Sequence, residues 1–222
     1  KESSAASDVY KRQSNICTAQ VLLAVMAAFY AVYHGQEGLK RIGTEIHRKT
    51  KSLYKALTKA GISIENKDFF DTLLLTVPGR ADALVKQALD AGYNIRKVDA
   101  DHVAISLDET ASCTDVATLA SALTGTETSA PCCCESPAWA PIHTRQTPFC
   151  TETAFNSYHS ETEMMRYIRR LESRDLALNE AMIPLGSCTM KLNAASEMIP
   201  ITWPETSSLH PFVPADQSEG IR

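Results

Sequence analysis

The chain has 222 residues, which is enough for one large domain or two small ones with a sizeable core. Its 44% hydrophobic and 22% charged residues are close to the average for a soluble globular protein. A formal net charge of -4, with no Lys/Arg cluster interleaved with aromatic residues, argues against nucleic acid as a partner. The longest apolar run, residues 21–33, is shorter than the roughly 20 residues that a membrane span needs, so no membrane partner is expected either.

The first half of the chain predicts a lobe that begins with two helices. Residues 1–13 have no apolar period and are interpreted as a non-native or disordered leader. Residues 16–33 are apolar nearly all round, which predicts a helix buried on most sides and closed by His34-Gly35. Residues 36–60 carry an apolar stripe of helical spacing, and Gly61 is the predicted stop.

The rest of the lobe predicts a small sheet with two more helices. Residues 69–77 form a predicted strand, 80–91 a helix, and 93–98 with 102–107 a hairpin. A last helix begins at a capping signal, Ser112 with Asp115, and ends at Gly125. The order α-α-β-α-β-β-α indicates an α/β or α+β lobe over residues 14–125. His102 is interpreted as structural, with a catalytic role as the open alternative.

Residues 126–150 are rich in Thr, Ser, Pro and Cys and predict a linker. Three of the seven cysteines are adjacent there, Cys132, Cys133 and Cys134, without the C-x-x-C spacing of a zinc site. We therefore expect no metal site. An odd cysteine count in a chain of this length favours a reducing compartment over a disulfide framework.

Residues 151–222 predict an arm rather than a domain. A capping box, Ser160 to Glu163, opens a helix with Met164, Ile168 and Leu171 on one face and arginines on another. Helical character is expected again over residues 176–182, and short pieces separated by prolines follow. So many apolar residues with so few long elements predict an arm that wraps on something larger, in a chain cut at both ends.

One stretch within this arm concentrates polar chemistry. After Gly186 come a hydroxyl, a thiol, a second hydroxyl and an amine between Ser187 and Lys191. Successive backbone N–H groups in such a turn can point into a concavity that suits an anion, and the lysine would add a positive charge. A solvated turn with an ordinary surface lysine accounts for the same residues, and the residue pattern leaves both interpretations open.

Several longer motifs resemble one known family. They are Ser14-Asn-Ile-Cys-Thr-Ala-Gln20, Tyr30-Ala-Val-Tyr-His-Gly35, Tyr158-His-Ser-Glu-Thr-Glu-Met-Met-Arg-Tyr167, Ile183-Pro-Leu-Gly-Ser-Cys-Thr-Met-Lys-Leu-Asn193 and Glu197-Met-Ile-Pro-Ile-Thr-Trp-Pro204. Together they resemble the P-protein family of the glycine cleavage system. The resemblance extends from residue 14 to about residue 220, apart from the linker.

The resemblance implies pieces of a fold-type-I pyridoxal-phosphate-dependent transferase built from two homologous halves. Residues 14–125 would be the small C-terminal lobe of the first half, and 151–222 the truncated N-terminal arm of the second, catalytic half. The implied activity is decarboxylation of glycine, with transfer of the aminomethyl group to the lipoyl arm of the H-protein. The implied assembly is a homodimer of the complete chain, in the mitochondrial matrix of a eukaryote or the cytoplasm of a bacterium.

The resemblance also limits which residues here can act. The family's cofactor lysine lies in a His-Lys-Thr segment that this sequence does not contain, so no catalytic residue and no activity of the isolated chain are expected. By resemblance, the residues near the cofactor pocket are Ser187, Cys188, Thr189, Lys191 and Asn193. Cys17 and Cys188 are candidates for redox-sensitive thiols, with inert buried cysteine as the alternative. His159 is either a neighbour of the helix cap or a pocket residue.

Two other functions fit parts of the pattern. Residues 69–125 read β-α-β-β-α, one strand short of a ferredoxin-like amino-acid-binding regulatory module. The proline-rich linker is a poor source for the last strand, and the helices before residue 60 are unexplained by such a module. A non-catalytic scaffold is the third possibility.

Overall fold

A computed structural model of the chain describes residues 19–128, 143–174, 196 and 199–221. The chain divides into two compact units, one of Lys1–Gly35 with Cys150–Arg222 and the other of Gln36–Phe149. We call the described residues of the first the arm unit and those of the second the lobe, and each is described by itself.

The first helix, α1, runs from Ala19 to Lys59 and is broken at Gly35, where the backbone has φ 60° and ψ -173°. The predicted break is therefore confirmed. The predicted burial of its first segment is wrong for this chain, because the side chains of Leu23 and Met26 are 64% and 58% exposed. A helix that is apolar all round needs cover on every side, and within the described arm unit only one side of it is contacted.

The lobe is organised around β2, Thr72–Thr76, whose side chains alternate between buried and half-buried positions. It pairs antiparallel with β4, His102–Ser106, in a register that sets Leu73 opposite Ile105 and Leu75 opposite Val103. Strand β3, Arg96–Lys97, pairs with β4 and completes the predicted hairpin, in a shorter form than expected. The alternation places one face of the sheet in the core, as the period of two requires.

One strand was missed from the sequence. Strand β1, Ser63–Ile64, pairs antiparallel with β2, so the sheet has four strands in the order β1-β2-β4-β3. Its pairing is extended by the Glu65 N–H, which donates to the Leu74 carbonyl oxygen, and by the Asn66 side-chain amide, which donates to the Thr72 carbonyl oxygen and accepts the Leu74 N–H of β2. The fourth strand thus precedes β2, and residues 69–125 read β-α-β-β-α as predicted, with no strand after the last helix of the lobe among the described residues.

Two helices of the lobe pack on the sheet, one between β2 and β3 and the other after β4. Helix α2 spans Ala81–Asp90 and helix α3 spans Cys113–Thr124. The predicted capping box of α3 is confirmed in both directions, and Gly125 ends the helix in the left-handed conformation. Leu89, which follows the buried Ala88 on α2, is exposed. Ala81, Leu84 and Ala88 form the contact face instead because they already span the sheet-facing side of a ten-residue helix.

The core of the lobe joins α1, both central strands and both helices in a single cluster. The side chains of this cluster are almost completely inaccessible to solvent. Burying each large aliphatic side chain contributes about 1.5–3 kcal/mol of transfer free energy to folding. The buried members are Leu53, Leu57, Leu73, Leu75, Val77, Ala81, Leu84, Ala88, Val103, Ile105, Val116, Leu119, Ala120 and Leu123. The lobe therefore combines helices with a small antiparallel sheet, which agrees with the predicted α/β class in its α+β form.

Within residues 151–222, the described elements are short, as predicted. Helix α4, Glu161–Glu172, begins at Ser160, whose hydroxyl accepts the Glu163 N–H. The predicted reciprocal bond differs, because the Glu163 carboxylate accepts the Ser160 hydroxyl rather than the Ser160 N–H. Met164 is buried, whereas Ile168 is exposed. The remaining described elements are Thr153–Asn156, Ile199–Thr202, helix α5 at Pro204–Ser207, Ala215–Gln217 and Glu219–Ile221.

Two further expectations can be placed against the structure. The helical character predicted over residues 176–182 lies outside the described residues. Among the residues that are described, no helix is both long enough and apolar enough to cross a membrane.

Candidate functional site

The polar loop singled out from the sequence lies outside the described residues. This holds for all five of its predicted cofactor-pocket residues, Ser187, Cys188, Thr189, Lys191 and Asn193. Their role therefore stays a prediction. Ser196 and the short element Ile199–Thr202 follow the loop closely along the chain, and α4 precedes it. Among these described neighbours, α4 is the one with a set of polar and aromatic contacts around it.

Two of the motifs that carry the family resemblance contact each other in the arm unit. The imidazole Nδ1 of His159 lies 2.8 Å from the carbonyl oxygen of Tyr33. A carbonyl oxygen only accepts, so Nδ1 must carry the hydrogen and donate it. His159 is thus both a neighbour of the α4 cap and a tether that joins the start of α4 to the last turn before Gly35.

Gly35 makes this tether possible. Its φ and ψ lie in a region that is essentially restricted to glycine. A Cβ at this position would lie 2.6 Å from the Phe155 carbonyl oxygen and 2.7 Å from Cε1 of His159. The backbone of α1 therefore approaches the segment before α4 more closely than any other residue type would permit.

A tyrosine–arginine cluster, made of Tyr158, Tyr167 and Arg170, lies beside the tether. The two tyrosine rings stack with centroids 4.1 Å apart and planes within 12° of parallel. The Arg170 guanidinium lies 5.4 Å from the Tyr158 ring and 5.2 Å from the Tyr167 ring, and it donates to the Tyr158 hydroxyl. Phe29 of α1 meets Tyr167 edge to face at 6.3 Å. These contacts fix the arginine in one orientation.

The cluster borders a shallow depression of about 230 Å³ in the arm unit. Its wall consists of Ser157, Tyr158, Glu163, Arg166, Tyr167 and Arg170. Sequence reasoning noted the arginines only as a polar face of the helix. The missed signal was the spacing of Tyr167 and Arg170, three residues apart on a helix, which brings a ring and a guanidinium onto one face.

A larger concave surface, of about 650 Å³, lies in the lobe. Its floor is apolar, with Leu39, Phe69 and Phe70, and its rim includes Lys40 and Arg145. The rim cations already have local partners. Lys40 pairs with Glu37 at 3.0 Å, and Arg145 donates to Thr147 at 3.2 Å and covers the Phe149 ring. The depression of the arm unit is the better candidate for an anion because two arginines, Arg166 and Arg170, line it, and neither forms an ion pair among the described residues.

His102, interpreted as structural, has the contacts of a structural residue. Its Nδ1 lies 2.8 Å from Oδ1 of Asp99 at the tip of the β3–β4 hairpin, and its Nε2 lies 3.8 Å from Glu65. The hydrogen bond with Asp99 raises the pKa of His102 most. Desolvation is the next largest effect and lowers it, and the charges of Asp99, Glu65 and Asp101 raise it again. The pKa of Asp99 is lowered, first by the Asp101 N–H and then by His102.

A second polar group of the lobe was missed from the sequence. The Tyr93 hydroxyl donates to Oδ1 of Asp115 at 2.8 Å, while the other carboxylate oxygen caps α3 through Ser112. Burial is the largest cause of the raised pKa of Tyr93, followed by this hydrogen bond. The hydroxyl and N–H of Ser112 lower the pKa of Asp115. Every one of these groups is satisfied within the cluster, which indicates a stabilising role.

The described residues hold no group of three or more His, Cys, Asp or Glu side chains that could bind a metal ion. Cys132, Cys133 and Cys134 lie outside the described residues, as do the candidate redox thiols Cys17 and Cys188. The cysteines that the structure does describe as free thiols, Cys113 and Cys150, are half-buried.

Comparison with known proteins gives consistent matches. The profile of the glycine cleavage system P-protein family matches residues 9–123, more than half of the chain. This match begins inside the segment interpreted as a leader. The chain is 86% identical over 212 residues to glycine dehydrogenase (decarboxylating) of Akkermansia muciniphila. It is 51% identical over 218 residues to the protein of that name from Photobacterium profundum and 52% identical over 219 residues to that from Serratia proteamaculans.

Each alignment covers 96% of this chain but only 22% or 23% of the relative. The chain thus spans less than a quarter of the length of the proteins it matches. The profile match and the motifs that meet at Gly35 and His159 point to the same family. On this evidence the chain belongs to the glycine cleavage system P-protein family.

Proposed function

We propose that this chain is a segment of a pyridoxal-phosphate-dependent glycine decarboxylase, the P-protein of a glycine cleavage system. The observation that carries the proposal is the 86% identity over 96% of the chain to a protein named glycine dehydrogenase (decarboxylating). Identity at this level, spread over the lobe, the linker and the arm, leaves few positions at which the chemistry of the two proteins could differ.

The architecture that we propose for the complete protein is the fold-type-I transferase with two homologous halves. The lobe would be the end of the first half and the arm unit would open the second half, with residues 126–150 between them. Its own core over α1, the sheet and both later helices supports the lobe as a distinct module. The exposed apolar residues of the arm unit support a segment that packs on a larger domain.

The loop residues fit an anionic cofactor or substrate by their donor chemistry. Ser187 and Thr189 carry hydroxyl donors, Lys191 a positive charge and Asn193 an amide, and this set can hold a phosphate or a carboxylate. When bound, pyridoxal phosphate supplies an electron sink for the decarboxylation. Cys188 would contact the same pocket. We propose that these side chains bind and orient, while the lysine that carries the cofactor belongs to another part of the complete protein.

The contact between His159 and Tyr33 supports the proposed binding role of the loop, although it lies outside the loop itself. It fixes the start of α4, and α4 precedes the loop by fewer than thirty residues. A loop that must orient an anion to within a fraction of an ångström needs an anchored frame. We propose that glycine is the substrate, that lipoylated H-protein accepts the aminomethyl group, and that the complete protein forms homodimers. The relatives named above are bacterial, so we propose the bacterial cytoplasm rather than the mitochondrial matrix.

The regulatory-module alternative gains a fourth strand in its sheet, but that strand lies before β2 and not after the last helix, where the module would have it. The family assignment accounts for the same sheet and also for the helices before residue 60 and the arm, which the regulatory module does not. It is therefore the proposal that covers the most residues. A scaffold without chemistry remains the outcome if the complete protein proves inactive.

The test uses the complete protein that contains this segment, with pyridoxal phosphate, glycine and lipoylated H-protein. The wild type should release carbon dioxide from glycine. Lys191→Met should raise the KM for glycine or the Kd for the cofactor about tenfold, the effect of losing one charge-assisted hydrogen bond. Lys40→Met, which removes an exposed lysine of the lobe, is the matched control and should leave both constants unchanged.

A second measurement separates a binding role from a covalent one. Borohydride reduction with pyridoxal phosphate should label one lysine of the complete protein, and that lysine should not be Lys191. Labelling of Lys191 would show that the assignment of the cofactor lysine elsewhere is wrong. If the folded wild-type protein released no carbon dioxide from glycine with H-protein present, the proposed function would be wrong.

A further inference from the structure

The depression beside the tyrosine–arginine cluster concentrates positive charge. Arg166 and Arg170 are one helical turn apart on α4, and both line the same 230 Å³ space. Like charges at this spacing repel each other on a helix. Arg170 is also held in place by two aromatic rings and the Tyr158 hydroxyl, so it cannot turn away without losing these contacts.

The acidic groups nearby do not neutralise this pair. Glu172 pairs with Arg169 at 2.6 Å, and Arg169 does not line the depression. Glu163 does line it, but its carboxylate accepts the Ser160 hydroxyl at 2.9 Å and lies within 4 Å of no cation in the described residues. Two arginines and one glutamate leave the wall with one net positive charge.

The hydroxyl groups of the wall differ in what they can offer. Ser157 donates its hydrogen to the Thr153 carbonyl oxygen at 2.7 Å, so it can only accept from a ligand. The Tyr158 oxygen already accepts from Arg170, and its own hydrogen can therefore be donated. The depression thus presents guanidinium groups and a phenolic donor, all of which recognise oxygen anions.

We propose that this depression binds a small oxyanion, a carboxylate or a phosphate group, between Arg166 and Arg170 with the Tyr158 hydroxyl as a further donor. Its volume is below the roughly 300 Å³ at which pockets for whole cofactors or drug-sized molecules begin, so a single charged group is the occupant that fits. The stacked tyrosines hold one guanidinium in its binding orientation in advance, which lowers the entropic cost of binding. This inference does not rest on the proposed glycine chemistry.

The test is calorimetric titration of the 222-residue chain with inorganic phosphate and, separately, with acetate, at low ionic strength where screening is weak. Arg166→Gln and Arg170→Gln should each weaken binding by about tenfold, as expected for one charge-assisted contact. Arg169→Gln is the matched control because it removes the same charge from the same helix outside the depression. It should change the affinity by less than about twofold, since exposed charges more than a few ångströms away act weakly.

Two further variants probe the wall itself. Glu163→Gln should tighten binding because it removes the one opposing charge, and glutamine at this position still suits the start of a helix. Arg170→Lys keeps the charge but not the planar fork, and should bind more weakly than the wild type. The two titrants distinguish the ligand class, since a preference for phosphate or for acetate identifies which oxyanion the site selects.

Equal weakening by all three arginine-to-glutamine changes would overturn the proposal in favour of general electrostatic attraction. Absence of binding by the wild type would overturn it as well. Near-ultraviolet circular dichroism of the stacked tyrosines checks that each variant keeps its fold. Where a variant loses that signal, the same changes are measured in the complete protein by the rise of Tm with phosphate, and failure of phosphate to raise the Tm more in wild type than in Arg166→Gln counts against the site.

Discussion

The lobe and the arm unit use similar amounts of apolar sequence and bury it very differently. In the lobe, Leu73 and Leu75 are completely inaccessible within a core shared by five elements. In the arm unit, Ile201 is 60% exposed and Phe212 is 89% exposed, and α4 has one buried residue, Met164. Apolar composition is therefore a poor guide to burial unless it recurs at the period of an element that has neighbours.

The two regions are also held together by different forces. The lobe depends on buried aliphatic area, which scales with the surface removed from water. The described arm unit depends on specific contacts at one place: the carbonyl tether of His159, the close approach at Gly35 and the stacked tyrosines. We expect the lobe to respond most to changes in side-chain volume and the arm unit to changes in backbone conformation.

The largest effect should come from the core of the lobe. Leu73→Ala should lower the free energy of unfolding by about 2–5 kcal/mol, because it removes transfer free energy and leaves a cavity between the sheet and its helices. Phe212→Ala, in the arm unit, removes more carbon atoms but should change it by less than about 0.5 kcal/mol, since the ring is already in water. Urea unfolding followed by far-ultraviolet circular dichroism measures both. Similar losses in the two variants would contradict the contrast.

A smaller effect is expected at the break of α1. Gly35→Ala should cost about 1–3 kcal/mol from the backbone conformation alone, with more from the overlap with Phe155 and His159. Gly61→Ala is the control, because Gly61 also has a positive φ but no atom within 4 Å of its would-be Cβ. The measurement is urea unfolding of both variants followed by far-ultraviolet circular dichroism, which reports on the helices of both units. If Gly61→Ala is the more damaging change, the close approach at Gly35 contributes nothing.

The smallest effect concerns pH and belongs to the lobe. The folded-state pKa of His102 is raised, so its hydrogen bond with Asp99 contributes fully below the unfolded pKa of about 6.5 and is lost as the pH rises through the folded value. The pKa of Asp99 is lowered, so its contribution is present above its unfolded pKa of about 3.9 and is lost as the pH falls through the folded value.

The stability difference between the wild type and His102→Gln should therefore shrink as the pH rises from about 5.5 to about 8. Both groups are exposed, which keeps the change small. Unfolding in urea at several pH values measures the difference, and the control is His210→Gln in the arm unit, far along the chain from this hairpin. A difference that is constant with pH would show that the ion pair adds nothing to the lobe.

Much of the lobe could be predicted because its signals are local. The capping box of Ser112 and Asp115, the left-handed Gly125 and the alternation over β2 each depend on a few adjacent residues. Strand β1 escaped prediction because two residues are too few to show a period. Their pairing is supported by Asn66, which follows β1 and bonds the backbone of β2 through its side chain, a contact that no local period shows.

The functional side of the arm unit was harder to predict. The family motifs containing Tyr33 and His159 are visible in the sequence, but their contact spans more than a hundred positions, and no local rule brings them together. The tyrosine–arginine cluster likewise needs Tyr158, before the helix, to fold back onto residues within it. The apolar residues 21–33 predicted a buried helix, but Leu23 and Met26 are exposed. Composition alone does not show whether another element covers a helix.

The position of β1 has a consequence for the order in which the protein is made. All four strands of the sheet are encoded before residue 107, and the last helix that covers them ends at Thr124. A ribosome therefore delivers the complete set of pairing partners before it translates the linker, and the lobe can fold while the arm is still being synthesised. The exposed apolar side chains of the arm would then emerge beside a structure whose own hydrophobic strands are already paired.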